Sequence, residues 1–242
     1  MRRATYSTLP IEGLSSSFVD NGYESLLTIE GEAPLRVLNS SMWGEGFTTA
    51  RRLINRQVSK HYLAEDPLQE MRSYLEGLGT PWEETAALLT AADLRDRGYR
   101  HAELGLGGGV CSWVTAGLSN RIRGGRECDE SLLYPGNPGT INIIVVIDGY
   151  LTDAAFVNAV ITATEAKTAA LQDLDVRLED CGLTATGTST DAVMIASLQQ
   201  GERHRYAGIS TNLGYAISRT VYEAAVESAA RCLNRGDRMV KE

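Results

Sequence analysis

The chain has 242 residues, of which 43% are apolar and 22% are charged, and its formal net charge is -8. These values are typical of a globular protein with enough apolar side chains for a large core. The acidic balance, without a cluster of Lys and Arg, disfavours a nucleic acid partner because the phosphate backbone requires positive charge.

The N-terminus carries two arginines but no apolar run after them, and a stretch long enough to span a membrane does not occur in the sequence. We therefore expect a cytoplasmic protein with no membrane partner. The four cysteines contain no CxxC pair, and there are three histidines in total. This inventory predicts free thiols and no protein metal site.

Residues 23–30 and 35–38 alternate loosely between apolar and polar, with Gly and Pro between them, and together they predict an N-terminal antiparallel hairpin. The segment that follows contains Gly44 and Gly46 just ahead of a predicted helix over 48–55. Backbone N–H groups at such a helix start could hold an anion or a carbonyl oxygen. A plain turn is the alternative interpretation.

Asp66 and Pro67 form a typical helix start, and Gly77 to Pro81 would end that helix. Strands are then predicted over 85–90 and 110–116, with a helical turn over 91–97 between them. The glycines at 105–109 precede a strand instead of opening a helix, so they do not fit a nucleotide-binding loop. Residues 121–137 are predicted to form a surface loop.

The stretch from 139 to 196 contains the most informative pattern in the chain. A continuous apolar run over 141–147 predicts a central strand buried on both faces, and a helix should follow from Thr152 or Asp153 to about residue 174. A hydroxyl-rich loop over 182–191 then leads into a second apolar strand over 192–196. An edge strand over 206–210 and a closing helix from Thr211 complete the expected elements.

On a helical wheel, Lys167 lies in the middle of the apolar stripe of the long predicted helix. An amine in that position must reach water along its stem, meet a carboxylate, or lose its charge. Glu165 lies on a different face of the same helix and cannot pair with Lys167 within it. The hydroxyl-rich loop ends in Asp191, and loops held by rigid strands often carry binding groups, although a simple turn network is the alternative.

Several blocks together resemble the adenosylcobinamide amidohydrolase family, in one order over about residues 35–225. These blocks include LRVLNSSMWGEG, VTAGLSN, GTINIIVVID, TEAKTAAL and TGTSTDAVMIA. The resemblance implies hydrolysis of the amide that links the aminopropanol arm to the corrin ring of adenosylcobinamide. The product would be adenosylcobyric acid, which returns to coenzyme B12 synthesis in corrinoid salvage. Cobalt would then arrive within the substrate, and the protein itself would hold no cofactor.

Two positions depart from the pattern of the family that this chain resembles. Trp43 and Glu45 border Gly44 and Gly46, where the family tends to have Gly-Gly. This difference leaves undecided which corrinoid is the substrate. His61 stands where the family tends to have Asp, which argues against a catalytic histidine there.

Amide hydrolysis needs a nucleophile, a proton donor to the leaving amine and an oxyanion stabiliser. Our hypothesis is that Asp191, or else Glu165, activates water or the Thr188 hydroxyl. Lys167 would protonate the leaving amine, and Asn142 would stabilise the oxyanion together with nearby backbone N–H groups. Ten residues are predicted to contact the substrate: Gly44, Gly46, Asn55, Ser119, Asn120, Gly139, Thr140, Thr186, Gly187 and Thr190.

The sequence leaves two other functions open. One is a non-catalytic corrinoid-binding or regulatory protein, and the other is an amidase for a different large amide-bearing molecule. The expected fold is a single α/β domain over residues 1–242, with a mixed central β-sheet flanked by helices on both faces and an N-terminal β-hairpin. A homo-oligomer is possible on this evidence.

Overall fold

A computed structural model of the chain describes residues 3–105, 108–126 and 139–239. The longer strands of this part are β1 (Arg3–Thr8), β2 (Leu14–Asp20), β3 (Leu26–Asn39), β4 (Gly46–Gln57), β5 (Thr85–Thr90), β6 (Gly98–Leu104), β7 (Gly108–Ala116), β9 (Ile141–Ile147) and β12 (Ala192–Ser197). Four short strands are β8 (Arg121–Ile122), β10 (Tyr150–Leu151), β11 (Gly187–Thr188) and β13 (Arg203–His204). The α-helices of the described residues are α1 (Pro67–Gly77), α2 (Asp153–Asp173) and α3 (Asn212–Met239).

The nine longer strands form one mixed sheet in the order β1-β2-β3-β12-β9-β7-β6, with β4 also paired to β3 and β5 paired to β4. Strands β9 and β12 are parallel and are connected through α2, and β4 and β5 are also parallel. The remaining pairs in this sheet are antiparallel. The prediction of an α/β fold built on a mixed central sheet is confirmed.

The central strand β9 is apolar at nearly every position because both of its faces are covered. Ile143 and Val145 belong to the core that α2 and α3 cover, whereas Ile144 and Val146 belong to a second core. That second core lies between β9 with its neighbours and the strands β3, β4 and β5, so the sheet curls over and closes its own inner face.

The helices pack on two separate outer surfaces of this curled sheet. Helices α2 and α3 contact each other and cover β6, β7, β9 and β12. Helix α1 contributes Met71 and Leu75 to a third core with Ile54 and Ala87, on the outside of β4 and β5. Helices therefore lie on both sides of the sheet layers, as the sequence predicted.

The N-terminal antiparallel strands are confirmed, but the hairpin is formed by β1 and β2. The segments 23–30 and 35–38, predicted to be the two arms of a hairpin, belong largely to the single long strand β3. Gly31 and Pro34 lie in a register irregularity of β3, between Glu30 and Leu35. This bulge lets one strand pair with β2 at its first half and with β12 at its second half.

The predicted helix over 48–55 is wrong, because these residues lie in strand β4. Ala50, Leu53 and Ile54 have the spacing of one helical face, yet Leu53 faces the inner core and Ile54 faces α1. Pairing with β3 and β5 satisfies the backbone of this segment. Consequently no helix begins after Gly46, and an anion site at a helix start is excluded there.

Most of the other predicted elements are present. Asp66 accepts hydrogen bonds from the N–H groups of Leu68 and Gln69 and so caps α1, and Thr152 caps α2 through the N–H of Ala155. The predicted edge strand over 206–210 is wrong, since the two-residue strand β13 lies just before it. Strand β6 was not predicted, and most of the predicted loop over 121–137 lies outside the described residues. None of the described helices is long and apolar enough to cross a membrane.

Candidate functional site

Three loops meet at one edge of the central sheet because of its topology. Strands β9 and β12 are parallel and begin there, and the antiparallel strand β7 ends there. Helix α2 starts at the opposite edge and returns, so its C-terminal half reaches the same place. We call the residues that meet here the strand-end cluster: Asn120, Gly139, Thr140, Lys167, Gly187, Thr188, Thr190 and Asp191.

Lys167 and Asp191 form a largely buried ion pair at the centre of the cluster. The Lys167 Nζ atom lies 2.5 Å from Asp191 Oδ2, and the two side chains are 8% and 17% exposed. The sequence left three possibilities for Lys167: its amine could reach water, pair with a carboxylate or lose its charge. In the structure the amine pairs with the carboxylate of Asp191. A charge-assisted contact of this kind in a water-poor setting is strong, and it keeps both groups in position.

The other oxygen of the Asp191 carboxylate organises the loop around it. Asp191 Oδ1 accepts from the N–H of Ile141 at 3.0 Å and from the N–H of Thr188 at 3.1 Å. The hydroxyl of Thr188 also donates to Asp191 Oδ1 in a short contact. Asp191 therefore connects the start of β9, strand β11 and helix α2 through one carboxylate.

Gly187 is the position at which this pair requires a residue without a side chain. A Cβ atom at Gly187 would lie 2.7 Å from Lys167 Nζ and would overlap Asp191 Oδ2. The absence of a side chain here therefore lets the amine and the carboxylate meet against the backbone.

Two threonines fasten the loop before β12 to the segment before β9. The Thr190 hydroxyl donates to the carbonyl of Gly139 at 2.8 Å, and the Thr140 hydroxyl donates to the carbonyl of Thr190 at 2.6 Å. These reciprocal bonds hold the two loops together where their strands begin, which gives Asp191 a rigid support.

Asn120 brings a third loop into the cluster. Its Nδ2 donates to Ser189 Oγ at 2.7 Å, and its Oδ1 is buried and accepts no hydrogen bond from the described residues. A Cβ at Gly139 would overlap this Oδ1 and would lie 2.8 Å from Ser119 Oγ. A buried acceptor without a protein donor is costly, so Asn120 is well suited to meet an N–H of a ligand.

Asn142 and Asn55 lie beneath the cluster, in the inner core of the curled sheet. Asn142 Nδ2 donates to Asn55 Oδ1 and to the carbonyl of Leu89, both at 2.9 Å, and Asn55 Nδ2 donates to Thr115 Oγ1 at 2.9 Å. Both N–H groups of Asn142 are thus used within the protein. This geometry does not support the hypothesis that Asn142 stabilises an oxyanion, and it removes Asn55 from direct substrate contact.

The remaining predicted residues lie around the cluster or away from it. Glu165 is exposed on α2, so it does not join Asp191. The Thr186 hydroxyl accepts from the N–H of Gly124 beside β8. Gly44 and Gly46 both have positive φ angles, at +72° and +66°; Gly44 lies in the turn between β3 and β4, and Gly46 is the first residue of β4. That turn reaches the start of β12, because Ser40 and Val193 exchange two hydrogen bonds.

Sequence reasoning included Ser189 only as one of the hydroxyl residues of the loop over 182–191, and it did not identify Thr115 or the N–H of Ile141 as parts of the site. Thr115 gave a usable signal, because it is one of the two hydroxyl residues, with Ser112, in the largely apolar strand β7. The role of a backbone N–H, in contrast, depends on which loop lies opposite it.

The described cysteines are free, and Cys111 and Cys232 do not supply an activated nucleophile. Burial raises the pKa of the Cys111 thiol to about 11, and burial also raises the pKa of Cys232. A thiol with a raised pKa is largely protonated near neutral pH and therefore a poor nucleophile. Within residues 3–105, 108–126 and 139–239, no three His, Cys, Asp or Glu side chains are grouped to hold a metal ion.

Comparison with known proteins assigns this arrangement to a family. The sequence profile of the adenosylcobinamide amidohydrolase family matches residues 13–237, which include the entire strand-end cluster. The chain belongs to the adenosylcobinamide amidohydrolase family.

Two members of the adenosylcobinamide amidohydrolase family show the extent of the similarity. The adenosylcobinamide amidohydrolase of Halobacterium salinarum is 31% identical over 189 residues, covering 76% of each chain. That of Methanosarcina mazei is 31% identical over 180 residues, covering 70% of this chain and 78% of its own. The crystal structure of the PH0078 protein from Pyrococcus horikoshii shares the fold, with a TM-score of 0.52 and 15% identity over 91% of this chain and 85% of that one.

Proposed function

We propose that this protein hydrolyses the amide between the aminopropanol arm and the corrin ring of adenosylcobinamide, giving adenosylcobyric acid and free aminopropanol. Membership of the adenosylcobinamide amidohydrolase family supports this substrate, and the names of two relatives agree with it. In this reaction the protein acts in corrinoid salvage, and cobalt enters only as part of the substrate.

One observation carries the chemistry: the Thr188 hydroxyl donates to a carboxylate that is also paired with Lys167. A hydroxyl becomes a better nucleophile when an adjacent base accepts its proton. Thr188 Oγ1 would attack the amide carbonyl carbon while Asp191 accepts the hydroxyl proton. Lys167 would supply positive charge beside the developing oxyanion, which places the stabilising role on an ammonium group and not on Asn142.

The collapse of the tetrahedral intermediate requires a proton on the leaving nitrogen. In our proposal Lys167 gives this proton, the carbon–nitrogen bond breaks, and the 2.5 Å contact returns the Thr188 proton from Asp191 to Lys167. Water then attacks the carbonyl carbon of the threonine ester while Asp191 accepts a proton from it, and Asp191 gives that proton to Thr188 Oγ1 as the ester bond breaks. The carboxylic acid formed in this step gives its proton to the released amine. The sum is one amide and one water converted into one carboxylate and one protonated amine.

Substrate contact is proposed for the exposed side of the strand-end cluster. Asn120 Oδ1 would accept an N–H from a corrin side-chain amide, since it is buried and accepts no hydrogen bond elsewhere in the described chain. Thr190 and Ser119 are exposed beside it, and their hydroxyl oxygens can accept from the substrate. Asn142 and Asn55 would act as positioning residues that support the start of β9 from below.

The proposal is tested by measuring the release of aminopropanol from adenosylcobinamide. Thr188→Ser keeps the nucleophilic oxygen and should retain activity within about tenfold, whereas Thr188→Val removes it and should lose about a thousandfold. Thr164→Val is the matched control, because its hydroxyl bonds only the helix carbonyl of Val160 among the described contacts.

The outcomes separate the competing functions. Near-normal turnover by Thr188→Val would show that water, not Thr188, attacks the amide. Tight binding of adenosylcobinamide by the wild-type protein without release of aminopropanol would contradict an enzyme and favour a binding protein. Release of an amine from other large amides, but not from adenosylcobinamide, would contradict the substrate.

A further inference from the structure

A cavity of about 410 Å³ opens on the outside of β4 and β5, away from the Lys167–Asp191 pair. The turn between β3 and β4, the start of α1 and the short 3-10 turn before β5 form its walls. Cavities of this size are typical of sites for small organic molecules. The residues that line it include Met42, Trp43, Leu68, Arg72, Trp82 and Glu83.

The cavity has aromatic walls whose orientation is fixed. The rings of Trp43 and Trp82 meet edge to face, with their centroids 6.4 Å apart. The Arg72 guanidinium lies over the Trp82 ring, 4.4 Å from its centroid, and Glu76 holds it there through a 2.9 Å contact. Such preordered flat groups suit a planar aromatic ligand, because stacking then costs little side-chain entropy.

The turn that carries Trp43 is also held rigidly. The carbonyl of Trp43 accepts from Asn39 Nδ2 at 2.8 Å and from the N–H of Ala87 at 3.1 Å. A Cβ at Gly44 would lie 3.2 Å from Ala86, so the turn packs directly on β5. The backbone at Trp43 is therefore fixed against β5, and the partly buried Trp43 side chain packs against the third core.

The mouth of the cavity combines apolar surface with carboxylates. Met42 is 53% exposed and Leu68 is 47% exposed, which is an apolar surface that a bound ring could cover. Asp66 and Glu83 line the same cavity, whereas Arg72 is already paired with Glu76. This charge balance disfavours a phosphate and favours a neutral heterocycle with N–H and hydroxyl donors, as in a nucleoside.

The same turn connects the cavity to the strand-end cluster. Ser40, three residues before Trp43, exchanges hydrogen bonds with Val193, two residues after Asp191. Five residues of extended chain span at most about 18 Å, so the cavity and the catalytic pair lie within reach of one large substrate.

We propose that this cavity binds the adenosyl group of the corrinoid substrate, with adenine against Trp82 and Arg72 and the ribose hydroxyls toward the carboxylates. The assignment rests on the proposed function for the identity of the substrate. In this assignment, the cavity distinguishes corrinoids that carry an adenosyl group on cobalt from corrinoids that carry another ligand in its place.

Two measurements test the assignment. In the first, 5′-deoxyadenosine is titrated into the intact protein in a calorimeter, without any corrinoid. The wild type should bind it saturably, and Arg72→Ala and Trp82→Leu should each weaken binding about tenfold. Arg219→Ala is the matched control, because Arg219 forms the same i, i+4 pair with a glutamate on α3. Adenosine monophosphate should bind more weakly than 5′-deoxyadenosine.

In the second measurement, kcat/KM is compared for adenosylcobinamide and cyanocobinamide. For the Arg72→Ala variant, altered at an exposed side chain, the ratio of kcat/KM for the adenosyl substrate to kcat/KM for the cyano substrate should fall about tenfold. Unchanged nucleoside binding in both variants would overturn the site. Weakened nucleoside binding with unchanged substrate preference would overturn the assignment to the substrate and indicate a free nucleoside. If no cobinamide is hydrolysed, the proposed function fails, while the calorimetric result still decides whether the cavity binds a nucleoside.

Discussion

Replacing Lys167 by methionine tests whether the buried pair is both structural and catalytic. Methionine keeps most of the side-chain volume in the apolar stripe but leaves the Asp191 carboxylate without its counter-charge. Removal of one partner from a fully buried pair costs about 3–5 kcal/mol. Asp191 is 17% exposed and keeps three other donors, from Ile141 and Thr188. We therefore expect a loss of about 2–3 kcal/mol in the free energy of unfolding.

The assay is urea unfolding at neutral pH combined with the release of aminopropanol. Lys167→Met should be less stable with an unchanged m-value, and it should lose about a thousandfold in turnover. The double variant Lys167→Met/Asp191→Asn removes the uncompensated charge and should regain about 1 kcal/mol, while remaining inactive. Arg219→Met, at an exposed pair, should cost less than about 0.5 kcal/mol.

Two results would refute this reasoning. The first is a folded Lys167→Met protein with near-normal turnover, which would remove Lys167 from the chemistry. The second is a double variant whose loss of stability equals the sum of the losses measured for Lys167→Met and for Asp191→Asn alone. That additivity would show that Lys167 and Asp191 do not interact energetically despite the 2.5 Å contact.

Three further predictions address other parts of the structure. Gly187→Ala should lower turnover at least about tenfold, because its Cβ would displace the Lys167–Asp191 pair, whereas Gly208→Ala, which meets nothing within 4 Å, should leave turnover unchanged. Asn142→Asp should lower the melting temperature and cost about 3 kcal/mol in the free energy of unfolding, since its carboxylate would face the acceptor oxygens of Asn55 and Leu89. An inactive variant of normal stability would instead support the hypothesis that Asn142 stabilises the oxyanion. The hydrogen bond from Arg56 lowers the pKa of Glu70, so the stability that this pair adds is present above the ordinary pKa of 4.5 and is lost as the pH falls below it. The difference in urea midpoint between wild type and Glu70→Gln should therefore shrink from pH 6 to pH 3, and a constant difference would contradict the prediction.

The helices and strands were predicted from local sequence patterns. These predictions agree with the structure where the local pattern and the tertiary packing favour the same secondary structure. The start of α1 is an example, because Asp66 and Pro67 determine the cap without help from distant residues. Strand β4 is the opposite case. Its apolar residues have helical spacing, but strand pairing on both sides and two separate cores decide its conformation.

Within the site, the sequence identified the residues better than their roles. The wheel of α2 was enough to single out Lys167, since a lysine in an apolar stripe needs a partner. That the partner is Asp191 follows from the parallel arrangement of β9 and β12, which brings a loop 24 residues away to the same strand ends. Asn142 had the right chemistry for an oxyanion donor, but its side chain faces the inner core of the curled sheet.

The sequence by itself determined the family, through the blocks that resemble its members. It also determined the buried central strand, the long helix with Lys167 and the hydroxyl-rich loop that ends in Asp191, because these depend on composition or local periodicity. The tertiary structure alone decided that the carboxylate meets the amine, that Asn55 and Asn142 point inward, and that Trp43 and Trp82 form two walls of one cavity. These facts depend on strand order and on the curl of the sheet, which join residues far apart in the chain and leave no periodic signal in the sequence.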